Sequence, residues 1–353
     1  MPSTRFLNLD ALRGVAAICV LYLHIGIAAG VPYFGMGFFN VDLFFCLSGF
    51  VLTHAYKRRV YEGLSSKSFL VERMVRLYPT YVVGLLIGIV AAIITYNPTD
   101  QASILTQSAL AIFLVPDFAS KELFPLDNPA WSLFFEIVVN ILFFYLIFTK
   151  TWTGKAIILV SAILYVAAVA HFKGAAGWGR ENFIGGFPRV LFGFFCGCFL
   201  YSLFEQGLLS KISVRPIFSI VLIIVVSFLP TNRSFVYIPS AIIIVPLLIA
   251  VSTRDPISRF WSKVASALGV ISYPLYMIHF PIVTLAFYFH INKFRSPSNV
   301  ILTWIVLPLF LLGSAACLGY LYDIPVRKFI RRKLLSSRRE VLANICIVSR
   351  ELP

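Results

Sequence analysis

Seven ionisable side chains interrupt the long apolar stretches of this chain: Asp10, Arg13, His24, Asp42, Glu136, Arg189 and His279. A charge inside a low-dielectric region is costly, so each one marks chemistry or a deliberate pairing. Arg13 and His24 are eleven residues apart. Eleven helical steps of roughly 100° make about three turns, so both side chains share one face, about 16 Å apart along the axis. Asp10, three residues before Arg13, lies close to the same stripe. The turn between the first two apolar stretches centres near residues 33–34, which puts His24 and Asp42 at nearly equal depth. Glu136, six residues after Ala130, falls in the same half of the membrane. A histidine beside a carboxylate is what a general base needs, because the acid fixes the tautomer and stabilises the imidazolium. A polar contact that glues helices together would use the same residues.

A second set is cationic. Arg73 and Arg76 stand three apart at the start of the third apolar stretch, preceded by Lys57, Arg58, Arg59 and Lys67. An i, i+3 arginine pair faces one direction and can hold a phosphate bidentately. Membrane anchoring by positive charge accounts for the same residues equally well. Together the two sets describe a path with a cationic mouth, a histidine roughly 16 Å deeper and carboxylates near it. A pantetheine arm carrying an acyl thioester has about that reach. The residues alone support a buried histidine site fed by an anionic cofactor.

The elements that must position these residues follow from composition. The chain has 353 residues, 59% hydrophobic and 13% charged, with a mean hydropathy of +0.88. Soluble domains average about 45–50% apolar and about 25% charged, so disorder, collagen and a disulfide-stapled fold are excluded. What remains is an all-α polytopic membrane protein of about ten transmembrane helices. The apolar runs predict spans at 9–30, 37–56, 78–97, 131–149, 155–171, 186–205, 214–230, 236–252, 266–291 and 299–322. Residues 98–130 form the longest outer segment, with Ser103–Val115 expected as an interfacial or re-entrant helix.

Charge sets the orientation. With both termini cytoplasmic, 22 of the 30 Lys and Arg residues fall on the inner side and six on the outer. That fits the positive-inside rule and makes the net charge of +15 chiefly a matter of topology, with no nucleic-acid partner. The spans predict one transmembrane domain over 1–325 and a basic cytoplasmic tail over 326–353. Arg331, Arg332, Lys333, Arg338 and Arg339 of that tail suit anionic membrane lipid. Five of the six cysteines lie within spans as small buried hydrophobes, and no metal site is expected.

Five motifs then carry a resemblance. They are Leu9-Asp10-Ala11-Leu12-Arg13-Gly14 with His24, Val41-Asp42-Leu43-Phe44-Phe45-Cys46-Leu47-Ser48-Gly49-Phe50, and Arg73-Met74-Val75-Arg76-Leu77-Tyr78-Pro79. Asn128-Pro129-Ala130-Trp131-Ser132-Leu133 with Glu136 follows, and then Ile271-Ser272-Tyr273-Pro274-Leu275-Tyr276-Met277-Ile278-His279. In this order they resemble the membrane acyltransferase-3 family, the O-acetyltransferases of surface polysaccharides. Departures are small: Asn40 stands where a glycine is common, and Cys46-Leu47 where a Val-Ile pair is usual.

The resemblance implies a ten-helix enzyme of the bacterial cytoplasmic (inner) membrane. It would move an acyl group, usually acetyl, from cytoplasmic acyl-CoA to a hydroxyl of a carbohydrate or lipid-linked glycan such as O-antigen or exopolysaccharide. Acyl-CoA is a donor substrate there, and no permanently bound cofactor is expected. The family's Arg-x10-His pair falls on Arg13 and His24, and its Arg-x-x-Arg motif on Arg73 and Arg76. The expected mechanism has Arg13, Arg73 and Arg76 hold the CoA phosphates. His24, oriented by Asp42 or Glu136, deprotonates the acceptor, with an acyl-His step as the competing version. Trp131 and Arg189 are expected to line the acceptor side, and His279 to be a helix-packing hydrogen-bonder. A proton-coupled transporter with His24 and Asp42 as its relay is the alternative from another class.

Overall fold

The computed structural model describes residues 5–31, 34–96, 101–147, 151–211, 215–229, 234–254, 258–290 and 297–334. The basic tail beyond Leu334, with Arg338 and Arg339, lies outside the described residues. Eleven helices follow in order: α1 (Leu7–Ala29), α2 (Phe39–Tyr61), α3 (Ser66–Thr95), α4 (Gln101–Ile112), α5 (Ala130–Leu146) and α6 (Thr151–Phe172). Then come α7 (Gly186–Glu205), α8 (Pro216–Ser227), α9 (Ser234–Val251), α10 (Arg259–His290) and α11 (Asn299–Leu334).

Eight of these elements are long and apolar enough to cross a membrane. The remaining two predicted spans correspond to α5, with 17 residues, and α8, with 12. At 1.5 Å per residue the latter covers about 18 Å, short of a hydrocarbon core of about 30 Å. All ten predicted stretches are thus helical, and the chain is a multi-pass integral membrane protein. The extra helix expected in the long outer segment is α4, and it ends at Ile112.

Local chemistry fixes several ends. Gly30 closes α1 in the left-handed region (φ 68°), and its N–H reaches back to the Gly26 and Ile27 carbonyls. Ser65 caps α3, accepting from the Ser68 N–H, and Pro216 opens α8 in its first turn. α9 and α11 contain π-helical turns, at Ser240–Ile244 in the former and at Leu302–Val306 and Leu318–Asp323 in the latter.

Burial separates a core from a lipid-facing rim. α1 and α2 are the innermost helices, with 67% and 72% of their apolar windows buried, against 17% for α6 and 22% for α11. On α6, Leu159, Val160, Ile163 and Leu164 are exposed, as lipid contact requires. Small residues let the core helices close up without a hydrophobic drive between them. A side chain at Gly14 would meet Leu268 at 2.5 Å, so α1 and α10 pack there nearly backbone to backbone. α2 and α7 do the same: a side chain at Gly49 would run into the Phe194 carbonyl, and one at Gly197 into the Cys46 carbonyl. These two close pairs set the frame that holds the site.

Candidate active site

A cavity of about 470 Å³ lies among α1, α2, α3, α5 and α10. Its wall carries Arg5, Arg13, Arg73 and Arg76 against two acids, Asp10 and Glu136. All three arginines of the expected donor site therefore face one space, although they come from helices far apart in sequence.

Each arginine is held differently. Arg13 donates from Nη2 to Asp10 Oδ1 (3.0 Å) and the Gly269 carbonyl (2.9 Å), and from Nε to Ser272 Oγ (2.9 Å). Arg73 Nη2 donates to Glu136 Oε1 (3.0 Å), which also accepts from Ser48 Oγ (2.5 Å). Arg76 Nη1 is 3.6 Å from Asp323 Oδ2, beyond hydrogen-bond distance, and its guanidinium lies 5.5 Å over the Tyr273 ring. Asp323 closes the second π-helical segment of α11 and is 1% exposed. Arg73 Nε and Arg76 Nη1 are both buried and have no hydrogen-bond partner among the described residues. A buried cationic donor without an acceptor is costly, and an anion in the cavity would relieve it.

His24 does not line this cavity. Its Nδ1 faces the Val20 carbonyl at 2.9 Å and His279 Nε2 at 3.1 Å. His279 Nδ1 in turn faces the Leu275 carbonyl at 3.0 Å. A carbonyl only accepts, so the network assigns the proton to Nδ1 on both rings when both are neutral. His279 Nε2 is then the acceptor for His24, and His24 Nε2 keeps a lone pair without a partner among the described residues. His24 is half-buried while His279 is fully buried.

The expectation that Asp42 or Glu136 orients His24 is corrected here. Glu136 faces the cavity with Arg73 and Ser48. Asp42 accepts from Arg189 Nε (2.8 Å) and Nη2 (2.9 Å), and from the Tyr165 (2.7 Å) and Tyr237 (2.6 Å) hydroxyls. Both acids are engaged by partners other than His24, on sides of their helices that face away from it. The relay of the transport reading also loses its link, since Asp42 and His24 share no hydrogen bond.

Arg189 and Trp131, expected on the acceptor side, do meet: the guanidinium lies 5.1 Å over the indole. Arg189 is 1% exposed, however, and also donates to the Ala176 and Phe38 carbonyls. Buried and satisfied, it joins α2 to α7 rather than presenting a charge to a ligand.

In the loop before α5, Asp127 is 2% exposed and neither carboxylate oxygen has a partner among the described residues. Burial pushes its carboxyl well above the ordinary range.

Residues 6–322 match the Acyl_transf_3 family model, described as an acyltransferase domain. The chain belongs to the acyltransferase-3 family. It is 36% identical over 199 residues to "Protein 2 in picA locus" of Rhizobium radiobacter, covering 48% of this chain and 98% of that one. The "Peptidoglycan O-acetyltransferase OatA" of Listeria monocytogenes is 23% identical over 317 residues, 79% of this chain and 49% of its own length. "O-acetyltransferase OatA" of Staphylococcus aureus is 24% identical, over 99% of this chain and 63% of its own. The match therefore spans about half of the Listeria protein. No solved structure matches the chain. By family it is a membrane acyltransferase.

His279 as partner of His24, and Asp323 as partner of Arg76, were missed by the sequence reading. The first had a signal. His279 is an ionisable residue inside an apolar stretch, which marks it for a pairing without naming the partner. Asp323 gave none, because it follows the last predicted span.

Proposed function

We propose that this chain moves an acyl group, acetyl in the simplest case, from acyl-CoA on the cytoplasmic side to a hydroxyl of a surface carbohydrate. The excess of Lys and Arg on one side of the spans supports a reading in which both termini and the arginine-lined cavity face the cytoplasm, where acyl-CoA is found. One observation carries the reading: Arg13, Arg73 and Arg76 converge on one cavity, and two of their buried N–H groups lack an acceptor among the described residues. A diphosphate with its 3′-phosphate supplies acceptors of the right charge. The pantetheine arm then spans the roughly 16 Å between Arg13 and His24.

At the far end His24 acts as general base through Nε2. The acceptor hydroxyl gives its proton to Nε2, its oxygen bonds to the thioester carbonyl carbon, and the C–S bond breaks. The thiolate leaves with the proton that His24 then returns. His279 holds the ring by accepting from Nδ1–H, which keeps the lone pair on Nε2. Its role is positioning. Asp42 and Glu136, candidates for that role in the sequence, serve the helix frame and the cavity instead.

Mass spectrometry of surface glycans from strains with and without this chain tests the reading. The expected result is one acyl mass lost from a carbohydrate in the strain without it. Identical acylation in both strains contradicts it.

A further inference from the structure

Neither His24 nor His279 lines the donor cavity, and Tyr276 joins the two regions. Its side chain lines the cavity. One turn further along α10, His279 lies with its ring centroid 5.9 Å from that of Tyr276, and His24 lies 4.9 Å beyond. Phe44 lines the same cavity, edge-on to Tyr276 at 5.3 Å. Of the rings of Tyr276, His279 and His24, that of Tyr276 is the one that borders the arginine-lined cavity.

Five hydroxyls line the cavity, and four have a fixed acceptor. Ser48 donates to Glu136, Ser272 to the Gly269 carbonyl, Tyr273 to the Leu77 carbonyl (2.6 Å) and Ser132 to the Pro129 carbonyl (2.9 Å). Tyr276 differs. Its hydroxyl is 2.9 Å from Ser132 Oγ, and since the Ser132 proton goes to Pro129, the proton in that contact is the one on Tyr276. The phenol thus donates to a neutral hydroxyl, the weakest acceptor in the set, which remains satisfied through Pro129 if Tyr276 turns away.

We infer that Tyr276 is a catalytic residue whose hydroxyl leaves Ser132 to donate to the thioester carbonyl oxygen as negative charge develops there. The inference rests on the acyl-transfer reading above. As the acceptor oxygen bonds to the carbonyl carbon and its proton passes to His24 Nε2, the carbonyl oxygen becomes an oxyanion held by the Tyr276 O–H. When the C–S bond breaks the carbonyl re-forms, the phenol returns to Ser132, and the thiolate takes the proton from His24. No proton is gained or lost by Tyr276 through the cycle. A donor aimed at developing charge in a water-poor site acts on the transition state more than on bound substrate.

The test compares Tyr276→Phe, Ser132→Ala and His24→Ala in the full-length protein in lipid nanodiscs. Acetyl-CoA is the donor, and glycan extracted from a strain lacking this chain is the acceptor. Tyr276→Phe keeps the ring and should lower kcat about 10²–10³-fold with little change in the KM for acetyl-CoA. Ser132→Ala removes only the resting partner and should keep kcat within about tenfold of wild type. Wild-type turnover by Tyr276→Phe overturns the inference, as does a Ser132→Ala defect equal to that of Tyr276→Phe, which would mark the pair as a structural latch. Full activity in His24→Ala alongside a slow Tyr276→Phe removes the base assignment and leaves that of Tyr276. A wild-type protein that transfers nothing from acetyl-CoA overturns both.

Discussion

Two arginine-centred regions lie within one helical frame and are built on opposite plans. Around Arg189 the donors and acceptors close on one another: a bidentate pair with Asp42, two carbonyls, two tyrosine hydroxyls and an indole face. Around Arg73 and Arg76 they do not close. Arg73 Nε and Arg76 Nη1 are buried without an acceptor among the described residues, and they border a cavity. A guanidinium in a membrane is costly in either case. Where the surroundings satisfy it, the arginine holds helices together, and where they leave N–H groups open, the proposed reading gives them a ligand. Charge inside a membrane is therefore a poor guide to function until its hydrogen bonds are accounted for.

Arg189→Ala leaves Asp42 buried without its counter-charge, and losing one partner of a buried pair costs about 3–5 kcal/mol. Against a total stability of about 5–15 kcal/mol this should show as lost folded protein in size-exclusion chromatography. A variant that folds normally and only weakens acceptor binding would return Arg189 to the ligand side of the comparison. His24→Ala should be the converse case, a folded protein whose transfer rate falls about 10²–10⁴-fold. Unchanged turnover in that variant would remove His24 from the chemistry.

A smaller effect concerns Asp127, buried and unpaired but outside the spanning helices. Its carboxyl is raised in the fold, so its contribution to stability is complete below the ordinary carboxylate range and is lost as pH rises through the raised value. Asp127→Asn keeps a neutral side chain at every pH. Thermal denaturation across a pH series should show the wild type losing stability relative to this variant as pH rises, and parallel curves would show that Asp127 is ionised in the fold.

Much of the fold was legible because a spanning helix is a local property: about 20 apolar residues declare it wherever they occur. The short α8 and the π turns of α9 and α11 were not, since helix length and winding respond to neighbours the sequence does not name. In the site, the convergence of Arg13, Arg73 and Arg76 could be anticipated from the side of the membrane on which they start. Partner choice could not. His24, Asp42, Glu136, Arg189 and His279 all lie within reach of similar depths, and depth says nothing about which way each helix is turned. Small residues settle that: Gly14 and the Gly49–Gly197 pair rotate α1 toward α10 and α2 toward α7. His24 consequently finds His279, and Asp42 finds Arg189.

The central claim is that the open arginines hold the anionic donor while the closed one does not, and steady-state kinetics tests it most directly. Arg73→Gln and Arg76→Gln each remove a charged hydrogen bond of about 1.5–3 kcal/mol. The KM for acetyl-CoA should rise about ten- to a hundred-fold, with the acceptor KM nearly unchanged. Equal changes in both constants, or none in that for acetyl-CoA, would contradict it.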